Sequence, residues 1–344
     1  MEANGRVLRD SAGTPRDQLD LLKSYGINSV RLRVWVNPDS GWCNKADLLT
    51  KAIRARKQGM RIMINFHYSD TWVDPGVQGK PAAWAGHDLA GLVKDVAAHT
   101  SEVLTTLRDS GVTPEWVQIG NETNDGMLWQ EGRATVSMAG FASLIQSGSK
   151  AAKAIFPQIK VVVHLSNAHD NVLYRWIFDG LKANAVAWDA IGMSHYPDSA
   201  TWRTTTALAR ANMQDMVARY GKDVVISETG MDWRAADSCH AMLKTLQADV
   251  AALAGGHGLG VFYWEPTAFW GFHGYQMSAF DDDGKPTRAL KAFRENMPVS
   301  VADRAKGGKA ALRRKVDRDA AGRKLGMPRS FDAHGNGSFP NRSR

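Results

Sequence analysis

Glu122 and Glu228 are the residues from which chemistry is expected. Each closes a short apolar run. Trp116-Val-Gln-Ile-Gly-Asn-Glu122 ends in an amide and a carboxylate, and Asp223-Val-Val-Ile-Ser-Glu228 ends in a carboxylate followed by Thr229-Gly230. Apolar residues carry such a segment through a protein interior, so a rigid element delivers each acidic group to a surface. Two carboxylates presented this way can divide acid–base and nucleophilic work, one held protonated while its neighbour is ionised. Taken singly, either glutamate reads equally well as half of a structural salt bridge; the pair is what points to chemistry.

The segments that would hold these groups alternate between strand and helix. Thr14-Pro15-Arg16-Asp17 predicts a helix start, with Thr14 as the cap, and Gly26 its end. Residues 29–35 then read as a strand, and a period of two puts Arg31, Arg33 and Trp35 on one face. A second strand over 61–67 ends in the polar loop Tyr68-Ser-Asp-Thr-Trp72. Leu92, Val96, His99, Val103 and Leu107 fall at spacings of three and four, one apolar helix stripe on which His99 is a packing residue. Further helices are expected over 137–155, 171–184, 203–220, 238–254 and 286–296, and further strands over 160–165, 189–196 and 260–265. Asp281-Asp-Asp-Gly284 reads as a polar turn, because a calcium loop needs Glu at its twelfth position and Ala292 stands there.

Strict alternation of this kind argues for parallel βαβ units. The fold class expected is α/β, a (β/α)8 barrel in which seven strands are countable. Polar residues gather at the C-terminal end of every strand, where such a barrel keeps its active site. The alternative, a doubly wound open sheet, would call for a glycine-rich phosphate loop after a strand, and none is present.

Composition narrows the classes. The net charge of +8 is confined to residues 298–344, which hold twelve Lys/Arg and four Asp/Glu; residues 1–297 balance at 31 of each sign. Two domains follow as expectations: a neutral barrel over 1–297 and a basic, disordered tail over 298–344. No nucleic-acid partner is called for. No apolar run is long enough to span a membrane, and the first residues lack the features of a secretory signal. Cys43 and Cys239 are too few for a disulfide framework or a metal cluster, so neither metal nor cofactor is expected.

Several of these segments resemble a known family. Gly26-Ile-Asn-Ser-Val-Arg-Leu-Arg-Val-Trp35, Phe66-His-Tyr-Ser-Asp-Thr-Trp72, Gln118-Ile-Gly-Asn-Glu122 with Gly126-Met-Leu-Trp129, and Gly258-Leu-Gly-Val-Phe-Tyr-Trp-Glu-Pro266 look like the arabinogalactan endo-β-1,4-galactanases of glycoside hydrolase family 53. The resemblance runs from about Asn4 to Met297. It implies a retaining glycosidase in which Glu122 is the general acid/base, Glu228 the nucleophile, Asn121 a contact to the sugar 2-hydroxyl and Tyr196 the residue that orients Glu228. Arg31 is implied to support Glu228 from below, although Arg33 shares its face. His67, Asp70, Trp129, His164 and Trp264 fall where substrate contacts are expected. Among the twelve tryptophans, Trp72, Trp129, Trp233 and Trp264 follow strand ends and rank first as sugar platforms, Trp116 last.

The implied partner is a polysaccharide, β-1,4-galactan of pectin side chains, met by a monomer outside the cell or in the periplasm. A related barrel hydrolase acting on mannan or cellulose is the alternative within the enzyme class, and an inactive barrel that only binds carbohydrate the alternative outside it. The chain departs from the family at three places. The first strand, with a Gly-x-Asp-x-Ser-like end, has no counterpart. Ser166 stands where Asp is usual, and His195 where a second tyrosine is. A barrel short of one strand has two unpaired edges, from which poor solubility is expected.

Overall fold

In the computed structural model of the chain, residues 5–269 and 274–295 are described, and the strand and helix signals resolve into seven strands and eight helices. The strands are β1 (Ser29–Val34), β2 (Arg61–Phe66), β3 (Trp116–Ile119), β4 (Lys160–Leu165), β5 (Ala190–His195), β6 (Asp223–Thr229) and β7 (Gly258–Val261). Between and around them run α1 (Gln18–Ser24), α2 (Lys45–Lys57), α3 (Leu89–Asp109), α4 (Met138–Ile155), α5 (Asn171–Ala183), α6 (Trp202–Tyr220), α7 (Ala236–Ala251) and α8 (Lys291–Glu295). Each strand pairs in parallel with the next in sequence, in the order β1 to β7. A doubly wound sheet would reverse its order at a switch point; this one never does. The result is a curled barrel wall of the (β/α)8 kind lacking one strand, with β1 and β7 as its edges among the described residues.

Period-two alternation separates two cores. Ile62, Ile64, Phe66, Val117, Ile119, Val161, Val163, Ile191 and Ile226 face the helices and join the large core with Leu92, Val96, Val103 and Leu107 of α3. Each such side chain contributes roughly 1.5–3 kcal/mol by leaving water. Their alternates Met63, Trp116, Val162, Ala190 and Val225 meet inside the curl and make its floor, against which Leu259 and Phe262 pack. Further along the same strands the inward positions turn polar: Arg31, Asn65, Gln118, His164 and Ser194. His99 is buried edge-on to Phe66, Tyr68 and Trp84, as a packing residue should be.

Some boundaries differ from the sequence reading. Asp17, not Thr14, caps α1, accepting from the N–H groups of Leu19 and Asp20. Pro15 instead bridges to Arg9. β7 ends at Val261, and the ladder continues only through single bonds, Phe262 N–H to Ile226 O and Trp264 N–H to Thr229 O. The closing helix is shorter than expected: Pro286 bridges to Phe280, a 3-10 turn takes Arg288–Leu290, and α8 begins at Lys291. The turn at Asp281 forms as read, its carboxylate accepting from the backbone of Asp283 and Lys285. Asn296 and the whole basic tail lie outside the described residues.

Candidate active site

Glu228 reaches the barrel mouth through an irregularity. Val224 and Ile226 face the helices, so strict alternation would send Glu228 the same way. The β5–β6 register, however, slips between Met193 and Ser194, so that Met193 opposes Ile226 but Ser194 opposes Glu228. Ser227 is the extra residue, and a bulge of this kind re-aims the side chain that follows it. Glu228 is thereby buried among inward-facing groups. The Arg31 Nη1 meets its Oε1 at 2.8 Å, and the Tyr196 hydroxyl donates to its Oε2 at 3.0 Å. Burial and the neighbouring Glu228 hold the Tyr196 hydroxyl well above its ordinary pKa, so it remains a donor.

Arg31 spends its remaining donors on β3: Nε on Gln118 Oε1 and Nη2 on Asn121 Oδ1, both at 2.8 Å. Arg33, one step nearer the mouth, meets Glu265 at 3.5 Å across the open side and stacks over Trp72 at 3.9 Å. The two arginines that share a face therefore do different things, and Arg31 is the one that touches Glu228.

Glu122 sits just beyond β3. Gly120, at φ +79°, turns the chain there, and a Cβ on it would come within 2.6 Å of the Thr123 side chain. Glu122 itself adopts φ +46°, a left-handed conformation that costs a non-glycine residue about 1–3 kcal/mol. Its N–H donates to His164 Nδ1 at 3.3 Å, and its carbonyl accepts from Asn124 N–H at 2.8 Å and from the Gln78 amide at 3.3 Å. Burial first, and the charge of Glu228 second, push the Glu122 carboxyl up to about 7, against smaller opposing effects from a Ser194 hydrogen bond and Arg31. A cavity of about 280 Å³ opens beside it, lined by Pro75, Glu122, Ser166, Asn167, His169, Ser194, Tyr196 and Thr205.

The remaining expected residues divide into those open to a ligand and those enclosed. His67 is buried and neutral, its pKa held well below the ordinary value by desolvation and by Arg33 and Arg31. Its Nε2 accepts from Asn65, which leaves the proton on Nδ1, a buried donor with no protein acceptor. Trp72 is exposed and Trp264 half-buried, and they meet at 5.8 Å beside Tyr275. Trp129 is half-buried, its indole N–H spent on Asp125 O and its face covered by Arg133. Asn121 is enclosed, its amide N–H donating to Val73 O. Asp70 holds two loops, one oxygen accepting from Asn37 N–H and the other from Ala82 N–H, both at 2.8 Å. His164 is wholly buried, with protein partners at both ring nitrogens. These two meet protein groups where substrate contacts were expected. Trp116 lies in the floor under the Arg61 guanidinium. Asn167, His169 and Thr205 line the cavity without having stood out in the sequence, since a lone polar residue in a loop, or in the first turn of a helix as Thr205 is in α6, carries no periodic signal. Ser166 holds Asn124 by two hydrogen bonds.

A site with two interacting carboxyl groups, one clamped by a guanidinium and a phenol and the other biased toward its acid form, can donate a proton and attack an electrophilic carbon in one event. Comparison with known proteins shows which family the chain is similar to. The pattern of Glycosyl hydrolase family 53 matches residues 1–293. A probable arabinogalactan endo-β-1,4-galactanase A of Neosartorya fischeri is 32% identical over 288 residues, covering 77% of this chain and 80% of that protein. The family 53 catalytic domain of Ignisphaera aggregans superposes with a TM-score of 0.77 at 30% identity, covering 84% of this chain and 91% of that one. A fungal β-1,4-galactanase gives a TM-score of 0.78 at 27% identity, with 86% and 96% covered.

Proposed function

Since this chain belongs to glycosyl hydrolase family 53 and is a glycosidase, we propose that it cleaves β-1,4-galactosidic bonds inside galactan chains, with retention of configuration, through Glu122 and Glu228. The observation that carries the reading is the opposite setting of the two carboxyl groups. Glu228 has a guanidinium at one oxygen and a phenolic donor at the other. Glu122 is pushed toward its protonated form by burial and by the charge of Glu228.

In this mechanism a Glu228 oxygen attacks the anomeric carbon while Glu122 gives its proton to the departing glycosidic oxygen, leaving a glycosyl ester on Glu228. Esterification removes the Glu228 charge, and with it the repulsion that favours protonated Glu122. Glu122 then accepts a proton from water as that water attacks the anomeric carbon, and Glu228 departs as the carboxylate. The leaving sugar occupies the cavity beside Glu122, because the proton donor must reach the departing oxygen. The sugar on the other side meets the Trp72–Trp264 aromatic surface, whose faces suit sugar C–H groups. The reading extends to a monomeric enzyme working outside the cell on galactan side chains of pectin, where a polymer of that size is met.

Glu228→Ala tests the assignment. Hydrolysis should be abolished, and azide, entering from the vacated side, should restore turnover with an inverted glycosyl azide as product. A retained azide product would sink the nucleophile assignment.

A further inference from the structure

The loop after β4 is pinned at alternate residues. Ser166 forms two hydrogen bonds with Asn124. Ala168 donates its N–H to Ser194 O at 2.9 Å and accepts from the Asn212 amide at 2.9 Å. Asp170 caps α5, and its own N–H returns to Asn167 O at 2.8 Å. The residues between these anchors, Asn167 and His169, are exposed and line the cavity beside Glu122. Neither side chain has a hydrogen-bond partner among the described residues. The other polar groups of the cavity wall are committed to protein. Ser166 Oγ holds Asn124, Ser194 Oγ lies 2.9 Å from His164 Nε2, Tyr196 donates to Glu228, and Thr205 donates to Thr201 O at 3.2 Å. Setting aside Glu122 as the reacting group, Asn167 and His169 are the polar side chains left to meet what enters. An amide offers donors and an acceptor, and an imidazole at least one donor, which together match sugar hydroxyls. No tryptophan lines this cavity, so stacking of the kind Trp72 and Trp264 offer has no counterpart here.

We propose that Asn167 and His169 are specificity-determining residues for the leaving sugar, holding its hydroxyl groups by hydrogen bonds and so setting its glycosidic oxygen against Glu122. This rests on the reading of Glu122 as the acid and of the cavity as the place the departing sugar occupies. Because the backbone on either side of each residue is already tied to β5, α5 and α6, little freedom is lost when a sugar binds. Asn167 also adopts φ +53°, a conformation asparagine tolerates better than most residues, so the turn alone is a competing reason for its presence. The two reasons separate in a glycine variant, which keeps the turn and loses the amide.

Asn167→Gly and His169→Ala are compared with the wild type and Glu122→Ala on galactotetraose and on β-galactobiosyl fluoride, with thermal unfolding as a check on folding. The fluoride places no sugar in the cavity and needs little protonation to depart. On galactotetraose, kcat/KM should fall about three- to tenfold in each variant, the range for one hydrogen bond lost. On the fluoride the loss should stay under about twofold, since its departure draws on neither side chain. For either residue, equal losses on both substrates, or no loss on galactotetraose, overturns its assignment; a residue that only forms the turn or only faces water gives the second result. If Glu122→Ala itself loses as much on the fluoride as on galactotetraose, the acid assignment fails and the proposal with it. Selective loss in Glu122→Ala with none in the other two variants refutes the proposal alone.

Discussion

Replacing Arg31 by Met isolates the energetics of the site from its chemistry. The Arg31 and Glu228 side chains are 7% and 8% exposed, and their oppositely charged atoms meet at 2.8 Å. Met fills similar space but leaves Glu228 buried without its countercharge. Breaking a buried pair from one side costs about 3–5 kcal/mol. Domains hold only about 5–15 kcal/mol, so the variant should fold with a small margin. At about 2–4 °C per kcal/mol, Tm should fall by roughly 6–20 °C. Arg31→Met/Glu228→Leu should recover much of this, because replacing both members of a buried pair by apolar groups is often neutral or better. Recovery should be incomplete. Gln118 Oε1 loses the Arg31 Nε donor, an unsatisfied buried acceptor worth about 1–3 kcal/mol, whereas Asn121 Oδ1 keeps the amides of Asn65 and Gln118. Denaturant unfolding of the two single variants and the double variant gives the coupling directly. A single-variant loss below about 1 kcal/mol, the level of an exposed pair, would refute the reasoning. So would a double variant whose loss is the sum of the two single losses.

Glu122→Gln should be more stable than the wild type at alkaline pH, and the two should converge in acid. The Glu122 carboxyl is raised from 4.5 to about 7 in the folded state, so the stability tied to its protonated form is complete below about 4.5 and lost as pH rises through about 7. The difference at pH 8 should be on the order of 2 kcal/mol, allowing for partial solvent contact. Pulse proteolysis or chemical unfolding at both ends of the range checks the sign, and a gap that widens toward acid would contradict it. Asp70→Ala should act through the loops it clamps. Losing two backbone N–H partners should cost about 1–3 kcal/mol and lower kcat/KM on long and short galacto-oligosaccharides alike, whereas a direct sugar contact would penalise only substrates long enough to reach it.

What the sequence determined by itself is the part written in periodicity and in strand ends. Alternation of period two and period 3.6 specified seven parallel strands with intervening helices; that the barrel wall lacks one strand followed only from the family resemblance. Apolar runs that stop at Asn121-Glu122 and at Glu228 marked where acidic groups leave the interior. Those signals are local, and local propensity suffices to read them. The exceptions were boundaries governed by single hydrogen bonds, such as Asp17 rather than Thr14 capping α1.

Only the tertiary structure decided which groups meet. Period two left Arg31 and Arg33 equivalent; distance along the barrel gave Glu228 to one and Trp72 and Glu265 to the other. The same period would have turned Glu228 toward the helices beside Val224 and Ile226, and one slipped residue against β5 turned it into the mouth. His164 and Asp70 share the strand-end positions of ligand-binding residues, yet their partners are protein groups brought in from other strands and loops. A hydrogen bond to a residue thirty or forty positions away leaves no trace in the spacing of its own segment. Which strand-end groups stay open to a ligand was therefore fixed by the packing of all seven strands together.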